Sequence, residues 1–357
     1  MNELLLSEQM SGQNHTSADV YYMNLAIAEA KKGRFTTKPN PNVGCVIVKD
    51  NLIIGRGFHP KAGLPHAEIY ALNDAKNQGF DVAGATAYVT LEPCSHTGRT
   101  PPCADALIKS GVARVVVACL DANPLVAGSG IRKLTDAGIQ VSVGVCQEAA
   151  YALNVGFLTA MQTGKPYVRL KMAMSLDGRT AMKSGESKWI TGDEAREDVQ
   201  TLRAISAAII TGSGTVMADD PALSVRSDRL GVPVAGIVQP TVVVADRSAR
   251  LTYDSDYQLF KRSDVLLWRE DLPSLLSQLK QQQCYDVLVE SGGRLAGAFI
   301  EADLVDELII YQAPCILGAT ARPAFDLTIE KLFEQKRFAL MSHERIGTDL
   351  KLVFTKT

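Results

Sequence analysis

The sequence predicts an α/β protein with two domains, and three observations support this prediction. The chain has 357 residues, which is enough for two hydrophobic cores. Short apolar, β-branched runs alternate with segments of helical spacing, as strands do when helices cover them. A Thr-Gly-Lys-Pro break at 163–166 interrupts this alternation. We therefore expect a loosely held extension over 1–18, a first domain over 19–163 and a second domain over 164–357.

The first domain is predicted to be a sandwich of helices around a mixed sheet. Lys49, Asp50 and Asn51 form a turn between two apolar runs, which predicts a hairpin, and helices and strands alternate after it. We expect helices over 19–32, from 66 onward, from 103 to about 110, over 130–137 and over 148–161, and strands over 43–48, 52–58, 85–91, 113–119 and 139–145.

The second domain is predicted to open with a strand over 167–174. In this strand Val168, Leu170 and Met172 point to one face, while Arg169 and Lys171 point to the other. We expect further strands over 207–212, 241–245, 264–268, 286–290 and 305–311, helices over 193–205, 271–282 and 294–302, and a final hairpin near 337–344 and 349–355. The second domain is therefore also α/β.

The first domain carries the residue types of a catalytic zinc site. His66, Cys94 and Cys103 supply one imidazole and two thiols, and Glu68 is a nearby carboxylate that is not needed as a ligand. Three protein ligands leave a fourth position for water, whose pKa the metal lowers. The pattern H-x-E followed by P-C and a second Cys is typical of zinc nucleobase deaminases, in which the Glu transfers protons.

Two helix starts are expected to bring these residues together. His66 follows Pro65 and precedes apolar residues at helical spacing, which is typical of a first helical turn. Cys103 follows two prolines and opens an apolar helix, where the helix dipole favours a thiolate. Two other interpretations stay open: unrelated buried residues, or a structural zinc with His96 as a fourth ligand.

Composition and cysteine count limit the possible partners and the compartment. The net charge is −2 and aromatic residues make up 6% of the chain, whereas nucleic-acid-binding domains usually carry a basic stripe. The cysteines number seven, and we find no secretory leader and no long apolar span. We therefore expect a cytoplasmic protein without nucleic-acid or membrane partners.

The second domain carries weaker signals for binding phosphate groups. A strand over 286–290 runs into Ser291, Gly292 and Gly293 before a helix, so backbone N–H groups could approach an anion there. A glycine turn needed only for backbone reasons is equally compatible. Arg247, at another strand end, could meet the 2′-phosphate of NADP, and Lys171, Arg203 and Arg226 could bind a substrate phosphate.

Several longer motifs resemble the bifunctional deaminase/reductase family of riboflavin biosynthesis. They are PNPNVG at 39–44, HAE at 66–68, LEPCSHTGRTPPC at 91–103, KMAMSLDGRTA at 171–181, WIT at 189–191, TVMADDPALSVR at 215–226 and VESGGRLAGAF at 289–299. The eight residues between Cys94 and Cys103 match this family, whereas tRNA adenosine and cytidine deaminases have two. The resemblance implies a cytidine-deaminase-like α/β/α sandwich followed by a dihydrofolate-reductase-like α/β domain.

The resemblance also implies two reactions. The first is deamination of 2,5-diamino-6-(5-phosphoribosylamino)pyrimidin-4(3H)-one, and the second is NADPH-dependent reduction of the ribosyl group of the product to ribityl. Zn²⁺ is expected at His66, Cys94 and Cys103, with Glu68 as the catalytic acid/base. The family is commonly a homodimer through its reductase halves.

Further site residues are carried over from the motifs of the family. The pyrimidine pocket of the first domain is expected to contain Asn40, His59, Arg99 and Thr100. NADPH is expected to contact Ala173, Trp189, Thr215, Asp219, Arg247, Gly292, Gly293, Arg294, Leu295, Ala296, Gly297 and Ala298. The substrate of the reductase is expected to contact Lys171, Ser187, Arg203, Leu223, Arg226 and Glu290, and we consider Lys171, Asp219 and Glu290 as candidate proton donors.

Two other functions are weighed against this hypothesis. A nucleic-acid base deaminase with an accessory C-terminal domain would share the zinc chemistry but needs a basic or aromatic surface for a strand. A structural-zinc protein with a nucleotide-binding module would fill the fourth metal position and oxidise no NADPH.

Overall fold

The chain folds into two compact units, residues 1–163 and 164–357. The computed structural model describes residues 15–96, 101–123 and 127–357. Arg99 and Thr100 lie outside the described residues, as does most of the segment expected to be an extension. Within the described ranges, no helix combines the length and apolar character that crossing a bilayer requires.

The first unit is a five-stranded mixed sheet with helices on both faces. The sheet order is β2-β1-β3-β4-β5; β1 is antiparallel to β2 and β3, and β3, β4 and β5 are parallel. The elements in chain order are α1 (Ser17–Lys31), β1 (Gly44–Lys49), β2 (Leu52–Phe58), α2 (Ala67–Asn77), β3 (Thr86–Val89), α3 (Cys103–Ser110), β4 (Arg114–Val117), α4 (Ser129–Asp136), β5 (Gln140–Val143), α5 (Gln147–Leu153) and α6 (Val155–Thr163).

Alternation of side chains along β1 separates the two cores of this unit. Cys45 and Ile47 pack into a cluster with α2, α3 and α4, whereas Val46 and Val48 pack into a second cluster with α1, α5 and α6. Both faces of the sheet are therefore covered, and the predicted sandwich is confirmed. α1 begins at Ser17, inside the segment expected to be an extension, because Thr16 caps it with a capping box.

The single helix predicted over 148–161 is wrong, because α5 ends at Leu153 and α6 begins at Val155. Asn154 interrupts the helix and bonds to the backbone of Asn42. The Asn42 N–H donates to Asn154 Oδ1 at 2.6 Å, and Asn154 Nδ2 donates to the Asn42 carbonyl at 2.9 Å. This contact spans 112 residues, so local periodicity gave no sign of it.

The second unit is built on an eight-stranded sheet of order β10-β9-β8-β11-β6-β12-β15-β14. The first six strands in this order, β10 through β12, are parallel to one another. β15 and β14 add an antiparallel hairpin at the edge of the sheet. Its elements are β6 (Tyr167–Met174), β7 (Arg179–Ala181), α7 (Asp193–Ile205), β8 (Ala208–Gly212), α8 (Ser213–Asp219), β9 (Thr241–Ala245), β10 (Val265–Trp268), α9 (Leu272–Gln281), β11 (Asp286–Glu290), α10 (Gly293–Glu301), β12 (Glu307–Gln312), β13 (Arg322–Pro323), β14 (Phe338–Ile346) and β15 (Asp349–Lys356).

Helices cover both faces of this sheet as well. Val168, Leu170 and Met172 pack with α9 and α10, while the opposite face packs against α7. The sequence analysis missed three short elements, namely α8 and the two-stranded pair of β7 and β13. α8 starts at Ser213, directly after the end of β8.

Candidate active sites

The three expected zinc ligands lie together in the first unit. The Nδ1 atom of His66 is 3.6 Å from Cys94 Sγ and 3.3 Å from Cys103 Sγ, and the three ligand atoms lie within 4.8 Å of one another. Tetrahedral zinc with ordinary bond lengths separates a nitrogen and a sulfur ligand by about 3.6 Å. The donor set and its spacing therefore fit one zinc ion.

The sheet and two helix starts position these ligands. His66 is the N-cap of α2, Cys103 is the first residue of α3, and Cys94 lies in the loop that follows β3. A Cβ atom at Gly57 would lie 2.4 Å from the carbonyl oxygen of Ala67, so only glycine lets α2 pack this closely on β2. The Cys103 N–H also donates to Cys94 Sγ at 3.3 Å, which joins the loop to the start of α3.

Glu68 lies in the first turn of α2 and is 2% exposed. Burial raises the pKa of its carboxyl group above the usual range. Its Oε2 atom is buried and has no hydrogen-bond partner among the described residues. A buried, unpaired carboxylate oxygen is costly unless a ligand satisfies it, so this atom suits a water or substrate beside the metal.

The hydrogen bond with Cys94 raises the pKa of His66, although burial opposes this. Hydrogen bonds with the side chains of Cys103 and His66 lower the pKa of the Cys94 thiol, although burial opposes this. The thiolate is the form that binds metal, so these contacts favour Cys94 as a ligand.

Asn40 and His59 lie beside this centre. Asn40 Nδ2 is 3.0 Å from His59 Nε2, and His59 Nδ1 is 3.0 Å from the Pro65 carbonyl. Because a carbonyl can only accept, Nδ1 carries the proton and Nε2 accepts from the Asn40 amide. Burial also lowers the pKa of His59 and keeps it neutral. The ring centroids of His59 and His66 are 5.1 Å apart. His59, together with the Asn40 amide bonded to it, therefore borders the three ligand residues.

Glu92 is a supporting residue that the sequence analysis missed. Its carboxylate accepts backbone N–H groups of Asp121 at 3.3 Å, Gly128 at 2.9 Å, Gly130 at 2.9 Å and Ile131 at 3.3 Å. These bonds fasten the segment before Cys94 to the start of α4. The sequence places Glu92 two residues before Cys94, but its donors lie about 30–40 residues further on.

The second unit has its candidate site at the carboxyl ends of parallel strands. α10 follows β11 with Gly292 as its N-cap, and the Gly292 N–H donates to Thr215 Oγ1 at 3.3 Å. The hydroxyl of Ser291 is buried without a partner among the described residues. A nine-residue helix with a glycine cap and an unpaired hydroxyl suits a phosphate group, so this loop fits the expected dinucleotide.

The segment 187–189 borders α8. α8 follows β8, the strand next to β11 in the sheet. Ser187 Oγ donates to Asp219 Oδ1 at 2.7 Å, and Lys188 Nζ donates to the Asp219 carbonyl at 2.8 Å. Trp189 is 68% exposed, with its ring 4.3 Å from the Arg196 guanidinium carbon. The structure therefore brings together Ser187 and Asp219, which were expected to contact substrate and cofactor respectively.

Four expected substrate residues form a charged cluster on the face that α7 covers. Glu290 and Lys171 are register partners on β11 and β6. Arg203 Nε and Nη2 donate to the two Glu290 oxygens at 2.6 and 3.0 Å. Burial alone would raise the pKa of Glu290, but the Arg203 charge outweighs it and lowers this pKa. Burial lowers the pKa of both Lys171 and Arg226, and the Arg203 charge adds to this.

Three of the expected contact residues are closely packed against other parts of the second unit. Ala296 is fully buried in the core, and a Cβ atom at Gly297 would lie 2.2 Å from the Asp326 carbonyl oxygen, so both residues pack against protein. Leu223 is 3% exposed and packs in the core against α7, so its side chain does not face a substrate. The expected contacts at these three positions stay predictions, and they would have to involve backbone atoms. Ala173 lies at the carboxyl end of β6, Arg294 and Leu295 lie in the first turn of α10, and Ala298 lies in its second turn. Arg247 is exposed, two residues after the end of β9.

Comparison with known proteins assigns both units. The cytidine and deoxycytidylate deaminase zinc-binding region matches residues 16–119, and the RibD C-terminal domain matches residues 166–352. The riboflavin biosynthesis protein RibD of Escherichia coli K12 is 50% identical over 94% of this chain and 98% of its own length.

Solved structures agree. RibD of Acinetobacter baumannii is 51% identical with a TM-score of 0.89, and covers 95% of this chain and 99% of its own. A Thermotoga maritima protein described as a diaminohydroxyphosphoribosylaminopyrimidine deaminase/5-amino-6-(5-phosphoribosylamino)uracil reductase is 33% identical with a TM-score of 0.86, with the same coverage.

The fold and the two sites thus define a bifunctional enzyme, with a zinc-binding deaminase domain followed by a reductase domain. The chain belongs to the RibD family of riboflavin biosynthesis proteins. The expected fold class and enzyme class are confirmed.

Proposed function

We propose that the first unit deaminates 2,5-diamino-6-(5-phosphoribosylamino)pyrimidin-4(3H)-one and that the second unit reduces the resulting 5-amino-6-(5-phosphoribosylamino)uracil with NADPH. The observation that carries the first reaction is the triad of His66, Cys94 and Cys103 beside the unpaired Glu68 oxygen. Similarity to the Thermotoga maritima deaminase/reductase supports these two substrates.

In the deaminase, Glu68 transfers protons between water and the departing amine. The reaction forms one C–O bond to water oxygen, breaks the C–N bond to the amino group and releases ammonia. Zinc, when bound at His66, Cys94 and Cys103, supplies activation of the water. Burial raises the pKa of Glu68, which favours uptake of a proton by its carboxylate during the reaction.

Asn40 and His59 recognise the pyrimidine in this proposal. The Asn40 amide donates to His59, so its Oδ1 atom remains as an acceptor for a ring N–H or an amino group. The Pro65 carbonyl fixes the tautomer of His59 and thereby the orientation of the amide. Arg99 and Thr100 are proposed as further contacts from the motif alone.

In the reductase, the Gly292–Leu295 segment binds the phosphates of NADPH at the start of α10. Thr215, Asp219 and Trp189 complete the contacts, and Arg247 binds the 2′-phosphate. NADPH supplies the hydride when bound. The unpaired Ser291 hydroxyl supports this assignment.

Lys171 is the proton donor we favour for the reduction. The ribose ring opens as its C1′–O4′ bond breaks and O4′ takes up a proton, and hydride then adds to C1′. One NADPH and one proton are consumed. Glu290 is held ionised by Arg203, which makes it a poor acid, whereas an ammonium of lowered pKa is a better one. Lys171 and Arg226 also offer positive charge to the substrate phosphate.

The remaining expectations also belong to this proposal. The edge strand β14 exposes Leu340 at 54% and Met341 at 63%, which supports a homodimer through the reductase unit. The chain has seven cysteines, two of which are proposed as zinc ligands, and this cysteine usage supports a cytoplasmic location.

One coupled assay tests the proposed function. The diaminopyrimidine nucleotide is supplied with and without NADPH, and ammonia release and NADPH oxidation are followed separately. We expect ammonia in both cases, and NADPH oxidation only after deamination. Deamination of tRNA in place of the nucleotide would support the nucleic-acid alternative, and the absence of both signals would support the structural-zinc alternative.

A further inference from the structure

Tyr311 is a buried side chain in the reductase unit to which the proposed function gives no role. It lies on β12, next to the strand that carries Lys171, and is 1% exposed. Its hydroxyl donates to Asp198 Oδ2 on α7 at 2.5 Å. Burial and the Asp198 carboxylate raise the pKa of Tyr311, so the hydroxyl stays protonated and keeps this bond.

The ring of Tyr311 lies near two ammonium groups. The Nζ atoms of Lys171 and Lys351 are each 5.9 Å from its centroid, at the outer limit of a cation–π contact. Lys351 is neutralised by Asp198 at 2.7 Å and Glu344 at 3.3 Å. Lys171 has no ion pair within the part of the chain that the structure describes.

Glu290 does not neutralise Lys171 at contact distance, although the two residues are register partners. Both Glu290 oxygens accept from Arg203 at 2.6 and 3.0 Å. The Tyr311 ring, fixed at its hydroxyl by Asp198, is therefore the aromatic neighbour that limits where the Lys171 ammonium can lie.

We propose that Tyr311, held by Asp198, is a positioning residue that orients the Lys171 ammonium toward the reductase substrate. This inference rests on the proposed role of Lys171 and deepens it. The ring face attracts the cation without neutralising it, so the charge stays available to an anionic substrate, whereas a carboxylate in the same place would neutralise it.

Tyr167 supplies a matched control. It lies at the other end of the strand that carries Lys171, its hydroxyl donates to the Glu307 carboxylate at 3.0 Å, and its ring lies 4.8 Å from the Arg169 guanidinium carbon. Tyr167 thus has a hydroxyl–carboxylate bond and a nearby cation, as Tyr311 has, but it lies at the amino end of β6.

The test measures KM for the deaminated substrate and for NADPH, with deamination by the same chain as a control of folding. Tyr311→Leu should raise KM for the substrate about tenfold and leave KM for NADPH unchanged. Tyr311→Phe, which keeps the ring, should restore most of the affinity. Tyr167→Leu should leave both values unchanged.

A double-mutant cycle with Lys171→Met separates positioning from a general loss of packing. The effects of Tyr311→Leu and Lys171→Met on the dissociation constant of the deaminated substrate, measured by equilibrium binding, should not add. Additive effects, or equal effects of Tyr311→Leu and Tyr167→Leu, would overturn the inference. If Tyr311→Leu does not fold, Asp198→Asn, which weakens the bond that holds the Tyr311 hydroxyl, takes its place in the same cycle, with the same two readings. Normal reduction by Lys171→Met would overturn the proposed role of Lys171 itself.

Discussion

The two sites of this chain are built in different ways. In the deaminase unit, the three proposed zinc ligands and the proposed acid/base come from two helix starts and one loop, and the three ligand atoms lie within 4.8 Å of one another. In the reductase unit, the charged residues come from neighbouring strands and from α7, and are held by an ion pair between Glu290 and Arg203. The first site depends on local spacing, whereas the second depends on the register of a sheet.

Because of this difference, substitutions should affect metal binding at the first site and stability at the second. Loss of one ligand abolishes a three-ligand metal site, because no neighbour replaces it. Loss of one charge in the reductase cluster instead leaves its buried partner uncompensated and destabilises the unit. The predictions below test this contrast, beginning with the largest effect.

Cys103→Ser should remove zinc and abolish deamination. Substitution of a residue that only supports a metal ligand lowers activity by at most roughly 100-fold. Cys103→Ser should lower the deamination rate by more than this, because a ligand itself is lost. Metal analysis and ammonia release measure this, and reduction of the deaminated substrate should persist. Cys146→Ser, at a half-buried cysteine of the same unit, should keep full zinc content. A zinc-loaded Cys103→Ser enzyme would refute the ligand assignment.

Glu290→Gln should destabilise the second unit by about 3–5 kcal/mol, because Arg203 is left buried without its counter-charge. Denaturant unfolding measures this, together with a loss of NADPH oxidation and normal deamination. Asp264→Asn breaks a pair with Arg262 in which the carboxylate is 44% exposed, and should cost less than about 1 kcal/mol. Equal costs for the two variants would contradict the importance of burial here.

Asp19→Asn should change how the stability of the first unit depends on pH. Burial opposes ionisation of Asp19, but hydrogen bonds from Arg114 and Thr16 outweigh it and lower its pKa to about 2. Because the folded pKa is depressed, this stabilisation is present above the unfolded pKa of about 3.9 and is lost as pH falls toward 2.

The loss on acidification should be on the order of 2 kcal/mol in the unmodified chain and absent in Asp19→Asn. Unfolding of the first unit at several pH values measures it. Asp50→Asn, in the exposed β1–β2 turn, serves as the control and should keep the normal profile. An unchanged profile for Asp19→Asn would show that the ion pair does not set acid stability.

Glu92→Gln should weaken zinc binding roughly tenfold without removing a ligand. The new amide nitrogen would face two of the backbone N–H donors that fasten the Cys94 segment to the start of α4. Competition with a chelator measures the affinity. Glu148→Gln, on the exposed side of α5, should have no effect. Equal zinc affinity in both variants would mean that this anchor does not support the site.

The sequence predicted most elements correctly because their periodicity is local. The strand Tyr167–Met174 has the predicted bounds, and the helix at Cys103 ends before Gly111, whose φ of 74° suits glycine. His66, Cys94 and Cys103 were predicted from spacing to lie together, and the structure brings them together, since helix starts and prolines fix their surroundings.

Features that depend on distant contacts were not predictable in this way. The break at Asn154 depends on Asn42, and the donors of Glu92 come from the start of α4. The pairing of Glu290 with Arg203 spans 87 residues. The motif also did not reveal that Ala296 and Gly297 pack closely against protein, because a motif does not show which face of a helix is buried.

The most direct test of two independent centres on one chain uses Glu68→Gln. The variant is given either the diaminopyrimidine nucleotide or the already deaminated nucleotide, and zinc content, ammonia release and NADPH oxidation are measured. We predict full zinc content, a loss of deamination of about 10³-fold, and normal NADPH oxidation with the deaminated nucleotide. Normal ammonia release, or loss of NADPH oxidation with the deaminated nucleotide, would contradict the account.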